Sequence, residues 1–109
     1  MSENIFFKSK IIGVGSYLPE RIVTNDDLSK NIDTDDKWIS ERTGIKERRI
    51  ADDSETTSSL GIEAAKKAIN NAGISKDDID LIILATATPD NTFPATATSI
   101  QAGLGIKNG

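Results

Sequence analysis

Leu81-Ile82-Ile83-Leu84-Ala85-Thr86-Ala87 (LIILATA) is the stretch on which the fold turns. Its first four residues are apolar at every position rather than at alternate ones, the pattern of a strand covered on both faces. Such a strand lies centrally in an α/β sheet, with helices on either side. Just upstream, Ser75-Lys76-Asp77-Asp78 reads as a capped turn. Before that turn comes the longest helical pattern in the chain. From Thr56 to Ala72, the residues Leu60, Ala64, Ala65, Ala68, Ile69 and Ala72 fall at offsets of four, five, eight, nine and twelve, one stripe of a 3.6-residue helix. Gly73 stands where a left-handed C-cap belongs. Because the stripe is mostly alanine, it buries little area per residue but lets the helix lie close to a flat neighbour such as a sheet.

Working outward, a third helix is predicted after Pro94, carrying Ala95, Ile100, Ala102 and Leu104 and ended by Gly103 and Gly105. Toward the N-terminus, Lys10 to Tyr17 (KIIGVGSY) is short and β-branched and is broken by Leu18-Pro19-Glu20, so it reads as the first strand. Thr24-Asn25-Asp26-Asp27-Leu28 opens a short helix, and Thr34-Asp35-Asp36-Lys37-Trp38 repeats that signature, with Thr34 as N-cap and Gly44 as the stop. Arg48 to Ile50 forms a further short strand, and Asp52 to Thr56 supplies polar punctuation. These strands are too few to flank a doubly covered one. The chain, residues 1–109, therefore reads as an incomplete, opened α/β domain whose missing partner lies C-terminal to it.

Composition narrows the function. The 109 residues are 37% hydrophobic and 28% charged, ordinary for one soluble domain or part of one. A net charge of -4 argues against general nucleic-acid binding, which calls for a surplus of Lys and Arg. The N-terminal MSENIFFKSK has an apolar run of only Ile5, Phe6 and Phe7, and no later run approaches membrane-spanning length; the expected location is the cytoplasm, with no membrane partner. There is no Cys and no His, so these residues supply no disulfide, thiolate nucleophile, imidazole base or soft metal ligand.

Several constellations admit more than one use. Gly13-Val14-Gly15 after a strand suggests dinucleotide binding, but Leu18 stands at the third glycine position, Pro19 follows, and no long helix starts there. The acidic pairs Asp26-Asp27, Asp35-Asp36, Asp52-Asp53 and Asp77-Asp78 each fall at a predicted helix start, where carboxylates favour the dipole; capping explains them, and no metal site is expected. Trp38 and Arg42 are four apart on a helix and share a face, so they could grip a flat aromatic ligand or form a plain surface cation–π pair. Arg42, Lys46, Arg48 and Arg49 make a local positive cluster, suited to phosphate or an acidic partner or simply to a solvated face. Phe93, in the loop past the central strand, stands where open α/β sheets place ligands, though a buried loop anchor is the plainer reading.

Four segments in order, IIGVGSYLPE, DTDDKWISERTGIKERRI, SLGIEAAKKAINNAGI and LIILATATPDNTFPATATSIQAGLGIKNG, resemble 3-oxoacyl-acyl-carrier-protein synthase III (beta-ketoacyl synthase III) of the thiolase superfamily, over Lys10 to Gly109. The resemblance implies the N-terminal portion of a thiolase-like fold of layered helices and mixed sheet. It implies an acyltransferase of fatty-acid biosynthesis that takes an acyl group from acyl-coenzyme A onto a cysteine and condenses it with malonyl-acyl carrier protein. Coenzyme A thioester is then a substrate, with no permanently bound cofactor. Thr34, Trp38 and Arg42 match the family's adenine contacts at the coenzyme A entrance, and Phe93 matches an aromatic that reaches the partner's acyl pocket in a homodimer. The family's catalytic Cys, His and Asn match no residue here, so the chain alone is expected to be inactive. Two alternatives stand beside this one: a noncatalytic module pairing with a full-length thiolase-fold subunit, and a related hydroxymethylglutaryl-coenzyme A synthase. WISERTGI with ATATPD favours the type III synthase.

Overall fold

The computed structural model describes residues 5–108; residues 1–4 of the N-terminal stretch and the closing Gly109 lie outside it. Strand β1 (Ile22–Thr24) leads directly into helix α1 (Asn25–Ser29), followed by α2 (Asp36–Thr43), β2 (Glu47–Arg49), α3 (Thr57–Ala72), a 3-10 turn (Lys76–Asp78) and α4 (Thr96–Leu104). β1 and β2 form an antiparallel ribbon in which Ile22 faces Arg49, Val23 faces Arg48 and Thr24 faces Glu47.

Local chemistry sets most of these boundaries. Thr24 and Asp27 form a capping box at the start of α1, and Thr56 and Ser59 form another at α3. Gly44 and Gly73 end α2 and α3 at φ of 71° and 67°, backbone that a Cβ disfavours. β2 begins one residue before the predicted strand, whereas β1 is too short for its pattern to be read. Gly103 does not end α4, as expected, but lies inside it. Its missing side chain leaves room for Ile62 of α3, and Ile100 of α4 sits over Gly61 in the reciprocal contact. The two helices thus interlock, burying Ile100 to 4% exposure.

Two expectations about strands are overturned. Residues 10–17 and 81–87 pair with no neighbour, and among the described residues the ribbon is the whole sheet. Both segments instead lie against helices. Val14 donates its amide to Asn71 Oδ1 at 3.1 Å, while Gly13 and Gly15 rest on the alanine stripe of α3. The expected double covering is also absent: Ile82 and Leu84 are half-buried while Leu81 and Ile83 are 75% and 84% exposed. A buried strand needs a layer on each side, and here α3 and α4 pack against each other on one side.

The result is an open body. Its radius of gyration is 19.1 Å, where a compact domain of this length has about 13 Å. Its accessible surface is 8788 Å² against the roughly 5,900 Å² expected for its mass. Ile39, Ile100, Ile106 and Pro19 are the buried apolar residues among those described. No helix of the described residues is long and apolar enough to cross a membrane.

Three of the acidic pairs serve helix starts as expected: Asp27 and Asp78 complete capping boxes and Asp35 caps α2. Asp52-Asp53 does not. Asp52 accepts from the amide and hydroxyl of Ser54 in a turn that precedes the Thr56 cap.

Asp27 carries a testable acid dependence. The Thr24 amide, Lys30 and the Thr24 hydroxyl hold its carboxyl down at about 2, from an ordinary 3.8. The unfolded chain therefore binds the proton first as pH falls. The cap's stabilisation is present above about pH 4 and is lost as pH falls through about 2. In thermal melts followed by circular dichroism, the gap between wild type and Asp27→Asn should narrow across that window; a constant gap from pH 5 to pH 2 would contradict this.

Candidate functional site

α2 and the loop before it carry the candidate site. The helix starts one residue later than predicted, with Asp35 rather than Thr34 as N-cap. Asp35 has the extended backbone of a cap, φ -143° and ψ 167°, and its carboxylate takes the Trp38 amide at 2.7 Å. That geometry frees Thr34 from capping. Its Oγ1 is buried and has no hydrogen-bond partner among the described residues, although its amide donates to Ile32 O at 2.9 Å. An unpaired buried hydroxyl is costly unless something else meets it.

Thr34 and Trp38 line the same cleft, of about 470 Å³, with Ile32, Asp33, Asp35 and Ile39. Trp38 is 53% exposed there. Arg42, one turn further on, lies over its ring with Cζ 4.7 Å from the centroid. Carbon atoms in contact stand about 3.5 to 4 Å apart, so a flat ring held between the two groups would need about 7 Å. The pair is closed on itself: it forms the surface cation–π contact, and a sandwiched ligand requires Arg42 to swing away.

The rest of the positive cluster is engaged elsewhere. Arg48 donates to Asn25 Oδ1 at 3.0 Å, Arg49 donates to the Pro19 carbonyl at 3.0 Å, and Lys46 donates to Ser40 Oγ at 3.1 Å. These bonds join segments of the chain, so the cluster does not form one converging phosphate cradle. Phe93 lies far along the sequence, in the loop before α4, and is 85% exposed, which overturns its reading as a buried anchor. Its loop is pinned instead by Asp90, whose carboxylate accepts the Ser58 amide at 3.0 Å in the first turn of α3, and whose amide donates to Thr96 Oγ1.

Sequence reading missed the residue on which the α2 region converges. Asn25 looked like one more capping residue, yet it is 1% exposed and uses its whole side-chain amide. Nδ2 donates to Asp36 Oδ1 at 2.8 Å and to the Ile45 carbonyl at 2.7 Å, while Oδ1 receives Arg48. No local signal marks it, because its partners lie 11 to 23 residues away.

No family model matches the chain. Individual relatives do. The chain is 58% identical over 101 residues to the beta-ketoacyl-[acyl-carrier-protein] synthase III of Ehrlichia canis (strain Jake), covering 93% of this chain and 32% of that protein. It is 59% identical over 99 residues to the enzyme of the same name from Rickettsia canadensis (strain McKiel), covering 91% and 31%. The crystal structure of 3-oxoacyl-[acyl-carrier-protein] synthase III from Aquifex aeolicus VF5 superposes with a TM-score of 0.86 at 54% identity, over 90% of this chain and 32% of that one. The chain spans about a third of the length of these proteins. Backbone and sequence agree, and over the third that it spans the chain belongs to the beta-ketoacyl-[acyl-carrier-protein] synthase III family, as a mixed α/β part of its thiolase-like fold.

Proposed function

We propose that this chain forms the coenzyme A entrance of a condensing enzyme that joins the acyl group of acetyl-coenzyme A, or a similar acyl-coenzyme A, to malonyl-acyl carrier protein. The observation that carries the reading is the cleft lined by Thr34 and Trp38, with the Arg42 guanidinium lying over the Trp38 ring beside it. Trp38 and Arg42 are suited to the two faces of an adenine, and Thr34 lines the cleft beside Trp38. In the proposed reaction the acyl group passes from the coenzyme A sulfur to a cysteine sulfur, releasing the free thiol of coenzyme A. Malonyl-acyl carrier protein then loses carbon dioxide, and the resulting carbanion attacks the acyl thioester and displaces the cysteine.

Neither a thiol nor an imidazole occurs among the 109 residues, so the condensation chemistry must be supplied from elsewhere and the chain alone gives no condensation product. Phe93, exposed on its loop, is suited to a partner subunit's pocket in a homodimer. The exposed Leu81 and Ile83 equally suit a second reading, in which the chain acts as a noncatalytic module covered by another thiolase-fold subunit. The proposed location is cytoplasmic, with coenzyme A thioester as substrate and no resident cofactor.

Trp38 is the one tryptophan in the sequence, so its emission reports on the cleft directly. Titrating the chain with coenzyme A should quench that emission saturably, and adenosine 3′,5′-bisphosphate should compete. Emission that stays unchanged up to millimolar coenzyme A would rule the entrance out.

A further inference from the structure

Asp36 and Ser40 are one helical turn apart on α2, and so are Trp38 and Arg42. The two pairs are offset by two residues, or about 200° around the axis, so they occupy opposite faces. Asn25 grips the first face. Its Nδ2 binds Asp36 Oδ1 at 2.8 Å and approaches Ser40 Oγ at 3.5 Å, and Ser40 Oγ donates back to Asp36 Oδ1 at 3.1 Å. The same side chain holds the Ile45 carbonyl just past the helix and the Arg48 guanidinium on β2, and the Asn25 backbone N–H donates to the Lys46 carbonyl at 3.3 Å. One buried side chain therefore connects the start of α1, both ends of α2 and β2.

From this geometry, and resting on the coenzyme A reading, we infer that Asn25 is a positioning residue for the Trp38–Arg42 clamp. Rotation of α2 about its axis would carry Trp38 and Arg42 away from Thr34, which lies on the loop ahead of the helix and does not turn with it. Two contacts on the back face of α2, a third beyond its C-terminus and a fourth on the ribbon oppose that rotation. The amide suits the place better than any other side chain of its size, because it must donate twice and accept once. An aspartate would set its carboxylate against both Asp36 and the Ile45 carbonyl.

The test compares the wild-type chain with Asn25→Asp and with Ile100→Ala, a destabilising change in α4 outside this network. Coenzyme A affinity is read from Trp38 emission, and the ligand-free environment of the ring from iodide quenching. Asn25→Asp should weaken coenzyme A binding about tenfold and alter iodide access, whereas Ile100→Ala should lower the melting temperature and leave both readouts at the wild-type level. If Asn25→Asp loses its helical circular dichroism, Arg48→Met takes its place, with an expected loss of about threefold. Wild-type affinity and quenching in the Asn25→Asp or Arg48→Met chain would overturn the inference alone. A wild-type chain that binds no coenzyme A would overturn the entrance reading, and the inference with it.

Discussion

Gly15→Ala is expected to lift residues 10–17 from α3 and to destabilise the chain by about 3 kcal/mol, at the upper end of the usual cost of overpacking. A Cβ at Gly15 would come within 2.5 Å of the Ala64 carbonyl oxygen and 2.9 Å of the Lys67 carbonyl carbon, and closer still to the Ala68 amide nitrogen. All three are backbone atoms of a helix and cannot rotate aside. Gly61→Ala offers the contrast, because its Cβ would meet the Ile100 side chain at 2.8 Å, and a δ-methyl can turn away. Urea unfolding followed by circular dichroism should therefore separate Gly15→Ala from Gly61→Ala by about 2 kcal/mol. Equal costs would mean that residues 10–17 do not hold this close approach in solution. The same contacts account for Gly13 and Gly15 without any phosphate: they let the segment touch the helix backbone.

On the proposed reading, removing Trp38 or Arg42 should cost coenzyme A affinity on a similar scale. Stacking of a base on an aromatic ring contributes about 1 to 3 kcal/mol, and a desolvated cation–π contact up to about 2 kcal/mol. Trp38→Ala should therefore weaken coenzyme A binding by about thirtyfold, from roughly 2 kcal/mol, as measured by calorimetry. Arg42→Ala loses one face but also frees Trp38 from its ligand-free contact, so a smaller loss of about tenfold is expected, read from Trp38 emission. Trp38 is half exposed and Arg42 exposed, and their removal should move the melting temperature little. A large thermal shift with unchanged affinity would assign the pair to stability instead.

Local chemistry made much of this structure legible in the sequence. The α3 stripe, the Thr56 start and the Gly44 and Gly73 stops depend on residues within one helical turn, and each is found. The contact between Trp38 and Arg42 was legible for the same reason, since four-residue spacing on a helix brings side chains together. What failed depended on distant partners. LIILATA has the composition of a buried strand, but a strand exists only with a hydrogen-bonded neighbour, and a covered face only with a second layer. Thr34 lost the cap to Asp35 because two adjacent residues both had capping chemistry, and only backbone geometry decides between them. Asn25 stayed hidden because being buried depends on where α2 and β2 return in space.

The closed stack of Arg42 on Trp38 bears on selectivity. A site whose two walls already satisfy each other is not open to every molecule that fits its outline. Any entrant must first separate the walls, at a cost of about 0.5 to 1 kcal/mol for an exposed pair, before gaining contact with either. A flat, electron-rich ring recovers that cost twice, once on the indole and once on the guanidinium. An aliphatic chain covers the indole but offers the cation nothing, and a lone phosphate attracts the cation but leaves the indole bare. On the proposed reading, the resting contact thus acts as a filter that acts before binding, passing planar aromatic headgroups and turning back the acyl tails and free anions that share the cell with them.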